Sequence, residues 1–226
     1  MKAKTIKEKS VAEIKIAIEQ ALVDGFKPTL AIVFISVKQD REAIVSLLNE
    51  QAIQIFGATT SGEFIDGEIE EGSCVIMLLD MKREYFRIIF SETGELTTFE
   101  NAVQLGIEGK KTFTNPAFII VSGWLSQDGE QIIEGINKGF GSDVAIFGGM
   151  AGDDLKLEGP VVFTNKNSSD KGLLGLIIDK DKVEINGIAT CGWKAIGTAK
   201  TITKSTGNIV YTIDDKPALD MIIKYL

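Results

Sequence analysis

The sequence contains no histidine. That absence excludes Ser-His-Asp and Cys-His catalytic arrangements, His-ligated zinc and the usual physiological pH switch. Any catalysis would rest on carboxylates, Lys, Tyr, Cys or an activated hydroxyl. Cysteine is scarce as well: Cys74 and Cys191 cannot form a disulfide framework. Cys74 opens the apolar run to Leu79 and reads as a core thiol, whereas Cys191 stands beside Gly192-Trp193. Long apolar runs are missing. The longest, Leu30 to Val37, is far short of the roughly 20 residues that span a bilayer. The first twenty residues hold Lys2, Lys4, Lys7, Glu8 and Lys9 and no signal-peptide apolar core. We therefore expect a cytoplasmic chain without direct membrane insertion. A basic excess is also lacking. Lys plus Arg is 24 against 32 for Asp plus Glu, a net charge of −8, which disfavours binding to a phosphate backbone and excludes nucleic acid as an expected partner.

What the chain does have is a globular composition, 44% apolar and 25% charged over 226 residues, enough for a substantial core. It also reads as written twice. Aligning Pro28–Asn49 with Pro116–Asn137 pairs Pro28/Pro116, Ile32/Ile120, Val33/Val121, Gln39/Gln127, Asp40/Asp128, Glu42/Glu130, Ile44/Ile132 and Asn49/Asn137. Upstream, Ser10-x-x-Glu13 and Thr97-x-x-Glu100 are both capping boxes. Downstream, Ile55-Phe56-Gly57 matches Ile146-Phe147-Gly148, and each leads into a glycine-rich turn and then an apolar run ending in Asp. The unit reads helix, strand (Leu30–Ser36), helix (Asp40–Glu50), strand (Ala52–Phe56), turn, strand (Ser73–Leu79), strand (Tyr85–Phe90). We expect an α/β fold of internally duplicated α-β-α-β-β-β units, about 10–92 and 97–190, with mixed sheets and approximate two-fold pseudo-symmetry. The extra segment Asp153–Lys171 is expected to form a hairpin through Val161-Val162-Phe163.

The glycine turns are the candidate site, because glycine lets backbone N–H groups approach a ligand. Gly57-Ala58-Thr59-Thr60-Ser61-Gly62 is followed by Glu63 and Phe64, not by the Lys and Ser/Thr of a phosphate loop, and Glu63 would repel phosphate. Gly139-Phe140-Gly141 has Val144 where a dinucleotide fingerprint needs its third glycine. What remains is a hydroxyl-rich turn, Gly57, Thr59, Thr60, Ser61, Gly62 and Glu63, and its counterpart Gly148, Gly149, Gly152, Asp153 and Asp154, with Trp193 or Trp124 as an apolar wall. If both turns meet at one interface they suit a small zwitterion, with N–H groups and hydroxyls for a carboxylate and acidic side chains for an ammonium. The simpler alternative is a pair of tight turns with local hydrogen bonds. Asp153-Asp154 with Glu158 fits no calcium loop, and neither metal nor cofactor is expected. An enzyme using Cys191 or Ser61, with Asp153, Glu63 or Lys194 for proton transfer, is another reading, though no triad spacing supports it.

In the tail, Thr206-Gly207-Asn208 marks a hairpin, and Pro217 would start a helix Ala218–Leu226 with an apolar face suited to a partner. The chain resembles the FIST family, specifically its N-terminal domain. The resemblance rests on the GATTSGE stretch at Gly57–Glu63, FGGMAGDD at Phe147–Asp154, Gly192-Trp193…Gly197, and the segment from Thr203 to Asp220, and it covers roughly Thr29 to Leu226. Family members usually carry a proline between the positions of Trp193 and Gly197, where this chain has Lys194-Ala195-Ile196. The resemblance implies a single sensory domain, 1–226, that binds small ligands such as amino acids. It further implies a C-terminal companion domain or a signalling output protein as partner. The chain has no room for the companion, which points to a stand-alone version or a part of a longer protein.

Overall fold

Four side chains set the helix starts of the larger unit. Ser10 accepts from the Glu13 amide at 3.3 Å and Asp40 from the Ala43 amide at 3.0 Å; Thr97 and Glu100 form a complete capping box; Asp128 accepts from the Glu130 amide at 3.0 Å. The Thr97 amide bond holds the Glu100 carboxyl below its ordinary pKa. The computed structural model describes the chain except residues 66, 93, 95, 124–127, 157–158, 191, 193, 196 and 225–226, and divides it into two units, Met1–Ile185 and Asn186–Leu226.

The larger unit begins with a strand that the sequence reading did not anticipate, β1 (Ala3–Glu8), followed by α1 (Val11–Leu22), β2 (Leu30–Ser36), α2 (Arg41–Glu50) and β3 (Gln54–Thr60). A short hairpin of β4 (Glu63–Ile65) and β5 (Glu68–Glu70) precedes β6 (Cys74–Leu79). Then come β7 (Phe86–Glu92), α3 (Thr98–Thr112), β8 (Pro116–Ser122), α4 (Gly129–Phe140), β9 (Ala145–Met150), β10 (Val162–Phe163), β11 (Ser168–Ser169) and β12 (Gly172–Asp179). Mixed α/β content with parallel and antiparallel strands is as expected.

The strands form two main sheets, ordered β1-β6-β2-β3-β10-β11 and β7-β12-β8-β9. In both, the first two pairings are antiparallel and the third, β2 with β3 or β8 with β9, is parallel. The β10–β11 hairpin extends the first sheet beyond β3. The strand at Tyr85–Phe90, read from the sequence as the end of the first unit, is β7 and opens the second sheet.

Alternation along the strands builds a four-layer stack. Ala31, Val33 and Ile35 of β2 pack with Ile14 and Ile18 of α1 and with Ile44 and Leu48 of α2. Phe118 and Ile120 of β8 pack with Leu105 of α3 and with Ile132 and Ile136 of α4. The opposite faces meet in the middle, where Leu30, Phe56 and Leu79 of the first sheet join Val121, Leu174 and Leu176 of the second. Fully burying one such Leu, Ile or Phe is worth about 1.5–3 kcal/mol.

The sheet faces do not follow the pairing of Ile32 with Ile120 in the sequence alignment. Ile32 and Ile120 are identical in type, but Ile32 packs against the central layer and Ile120 against the helices. The faces agree when Ala31 is set against Phe118 and Val33 against Ile120. The β-sheet period is two, so a slip of one residue exchanges the faces. Asp40 and Asp128 each cap the helix that follows.

The smaller unit is an antiparallel sheet of β13 (Ile202–Thr206), β14 (Ile209–Ile213) and β15 (Lys216–Pro217), followed by α5 (Ala218–Ile223). Gly207, with φ of 55°, sits in the expected hairpin turn. Pro217 is the N-cap of α5, not its first helical residue. Leu219, Ile222 and Ile223 are exposed.

Candidate functional site

The two parallel strands of the first sheet end side by side, with Ser36 of β2 registered against Thr60 of β3. In α/β folds this carboxyl edge is where ligands are commonly held. The residues read from the sequence as a glycine turn lie mostly inside β3. Gly57, Thr59 and Thr60 are strand residues, the bend is only Ser61-Gly62, and Glu63 starts β4. Gly57 owes its identity to space: a Cβ there would overlap the ring of Phe163, its cross-strand neighbour in β10. Gly148 and Gly149 likewise lie within β9, on the exposed edge of the second sheet. A Cβ at Gly148, which has φ 145°, would overlap the Ile120 carbonyl.

The structure does bring the two predicted segments together. The Gly152 amide donates to the Thr59 carbonyl at 2.8 Å, the Asp154 amide to the Thr60 carbonyl at 3.2 Å, and the Asp153 amide to Ser61 Oγ at 3.2 Å. A Cβ on Gly152 would stand 2.7 Å from the Ser61 amide nitrogen, so only glycine admits this approach. Gly152 to Asp154 are thus stitched onto the end of β3 and the Ser61 hydroxyl, while the Ala151 amide bonds the Ser122 carbonyl at the end of β8 at 2.8 Å.

Within this seam several of the predicted side chains hold the fold. Thr59 is buried; its Oγ1 accepts from the Val161 amide at 2.7 Å, and its own amide donates to the Val161 carbonyl at 2.8 Å. Asp153 is buried, and its Oδ2 accepts from the Gly159 amide at 3.1 Å. Glu63, also buried, accepts from the amide and hydroxyl of Ser73, each at 3.0 Å, and from the Thr60 hydroxyl.

Asp154 differs. Its Oδ2 accepts from Ser36 Oγ at 2.8 Å and lies 3.4 Å from Lys38 Nζ, while its Oδ1 is buried and has no partner among the described residues. Asp154 and Leu155 both adopt left-handed backbone, φ 55° and 61°, which is uncommon without glycine. Ser36 also accepts from the Lys38 amide at 3.1 Å, fixing the loop that leads to α2. Sequence reasoning missed Ser36 and Lys38. The signal available was their position, at the end of a strand just before a capped helix. Ser61 is exposed. Trp193, Trp124, Cys191 and Glu158 lie outside the described residues.

Among the described residues there is no group of three or more Cys, Asp or Glu side chains placed to hold a metal, and no helix long and apolar enough to cross a membrane. Cys74 is the expected core thiol. Burial, with the charge of Glu63 beside it, pushes its pKa up to about 12. Iodoacetamide at pH 8 should therefore leave Cys74 unmodified in the folded protein and alkylate it only in denaturant, as read by peptide mass spectrometry. Rapid native labelling would contradict the packing.

Comparison with known families gives a match to the FIST N domain over residues 29–216, most of the chain. The chain belongs to the FIST N domain family. This family is generally a sensory domain of signal-transduction proteins. The FIST N match runs from the residue before β2 to the first residue of β15, so it includes Ser36, Thr60 and Asp154, while β1 and α1 precede it. No curated protein matches the chain.

Proposed function

We propose that this FIST N domain is a cytoplasmic sensor of a small ligand, held at the carboxyl ends of β2 and β3 by Ser36, Thr60, Ser61 and Asp154, beside Lys38. Amino acids or similar small zwitterions are the ligand class. The observation that carries this reading is the Ser36–Asp154 hydrogen bond, which joins residues 118 positions apart. Ser36 belongs to the first sheet, and Asp154 follows β9 of the second. A ligand at this bond touches both halves of the larger unit, the arrangement a sensor needs to turn occupancy into a change of packing. We further propose that the two sheets are copies of one duplicated unit within a single domain, as their shared order and directions suggest. A companion domain or signalling protein would receive the output. The enzyme reading gains no support from Ser61, whose Oγ accepts from an amide and is not paired with a base among the described residues.

The test is a thermal-shift panel of the twenty amino acids and small polar metabolites. A ligand at about 100 times its Kd adds about 2.7 kcal/mol, or about 5–10 °C for a protein of this size. If no compound moves the melting temperature, and calorimetry detects no heat, ligand sensing at this edge is overturned.

A further inference from the structure

We infer that Asp154 is the anchor for a primary ammonium group on a ligand with an apolar body, and that Lys38 occupies the ammonium position in the empty site. The inference rests on the ligand-binding reading above and specifies its chemistry.

An ionised carboxylate offers about four acceptor directions. Among the described residues, Asp154 uses only Oδ2, for the Ser36 hydroxyl and the Lys38 ammonium, and its buried Oδ1 meets no donor. Only 8% of the Asp154 side chain is exposed. Buried polar atoms are otherwise nearly always paired, and in the larger unit the neighbouring Glu63 and Thr59 follow that rule. Over this carboxylate lies Lys38, whose side chain is 57% exposed and whose Nζ stands 3.4 Å from Oδ2. A tight ammonium–carboxylate hydrogen bond measures about 2.7–2.9 Å, so this pair is loose, and half-exposed pairs of that kind contribute little. A competing ammonium that reaches Oδ1 as well would displace it.

The apolar part comes from the sheet face beside the carboxylate. Phe34 and Ser36 alternate onto the same side of β2, about 7 Å apart along the strand. Phe34 is 38% exposed there, and Met77, registered against Ile32 on β6, is 40% exposed. These are large apolar side chains on an otherwise buried inner face, Phe34 one strand step and Met77 about two steps along the sheet from the Ser36 position that holds the carboxylate.

The chemistry narrows the ligand. A guanidinium binds best with both carboxylate oxygens free, but Ser36 holds Oδ2. A divalent cation needs six or more oxygen ligands, and one carboxylate with a donating hydroxyl does not provide them. A primary ammonium needs one or two acceptors and fits.

Two probes that share one alkyl chain test this, 3-methylbutylammonium and 4-methylpentanoate, titrated into the full chain by calorimetry. The ammonium probe should bind and the carboxylate probe should not. Asp154→Asn should weaken the ammonium probe at least tenfold. Lys38→Met, at an exposed side chain that leaves the Ser36–amide bond intact, should strengthen it several-fold by removing the internal competitor. This second variant reads the inference even if Asp154→Asn fails to fold. Equal binding of the two probes, unchanged affinity in Asp154→Asn, or weaker binding in Lys38→Met would each overturn the ammonium assignment. If other small metabolites still shift the melting temperature in those cases, ligand sensing stands without it. If nothing in the panel binds, both fall.

Discussion

Gly139→Ala is expected to destabilise the protein by about 2–4 kcal/mol, near the upper end for overpacking. The cause is the crossing of α3 and α4. A Cβ at Gly139 would overlap the Val103 carbonyl oxygen and stand 2.9 Å from its carbon, and one at Gly106 would overlap the Ile136 carbonyl and stand 2.9 Å from the Phe140 amide nitrogen. At Gly135 it would lie 2.6 Å from the Ala102 methyl. Each obstruction is backbone or a methyl on backbone, so no rotamer change relieves it and the helices must separate. Ile132 and Ile136 would then withdraw from Leu105 and Phe118 in the core they share. Gly129→Ala is the control. It lies in the first turn of the same helix with nothing within 4 Å of a new Cβ, and it should be neutral or stabilising by up to about 1 kcal/mol through the entropy glycine loses on folding. Urea unfolding of the three proteins checks the prediction. Equal midpoints for Gly139→Ala and the control would mean the helices do not pack by this contact.

Those glycines show what a sequence can and cannot reveal. Their effect depends on what stands opposite, and the opposing atoms lie on another element. Gly57 and Gly148 suggested turns because glycine favours unusual backbone, yet Gly57 makes room for a Phe163 ring 106 positions later and Gly148 for the Ile120 carbonyl. The helix caps were legible, since Ser10, Asp40, Thr97 and Asp128 bond amides two or three residues away. The partition of strands was not. β7 follows β6 closely in the chain, but its partner β12 arrives about 80 residues later, and nothing local states which sheet it joins.

The candidate site divides along the same line. Thr60, Ser61, Asp153 and Asp154 were legible as polar residues around glycines, and the structure brings them within hydrogen-bond reach of one another's segments. Their division of labour was not legible. Asp153 and Asp154 are adjacent and identical in type, yet one oxygen of Asp153 accepts the Gly159 amide while Asp154 keeps a buried oxygen unpaired among the described residues. That difference follows from a backbone turned left-handed at Asp154 and from a serine 118 residues earlier.

Glu63 gives the second large effect. Glu63→Ala should cost about 3 kcal/mol, because it leaves the Ser73 amide and two hydroxyls without their acceptor in a buried place, at about 1–3 kcal/mol for each group that finds no substitute. The hydroxyls of Ser73 and Thr60 can rotate to other acceptors; the amide cannot. Glu63→Gln should cost only about 1 kcal/mol. Its carbonyl can keep both Ser73 donors, and its NH₂ can donate to the Thr60 oxygen, which acts as an acceptor once its proton is free to turn. The pair of variants therefore separates hydrogen bonding from charge. It also separates scaffold from site. Glu63 ties the start of β4 to Ser73, whose carbonyl accepts the Ser36 amide at 2.9 Å. Losing that tie should raise hydrogen exchange at both the Ser73 and Ser36 amides, and with it loosen the strand end that presents Ser36 to Asp154. If Glu63→Gln keeps the fold and the response to a bound probe, Glu63 supports the seam from behind. If it keeps the fold and loses the response, the Glu63 carboxylate itself faces the ligand.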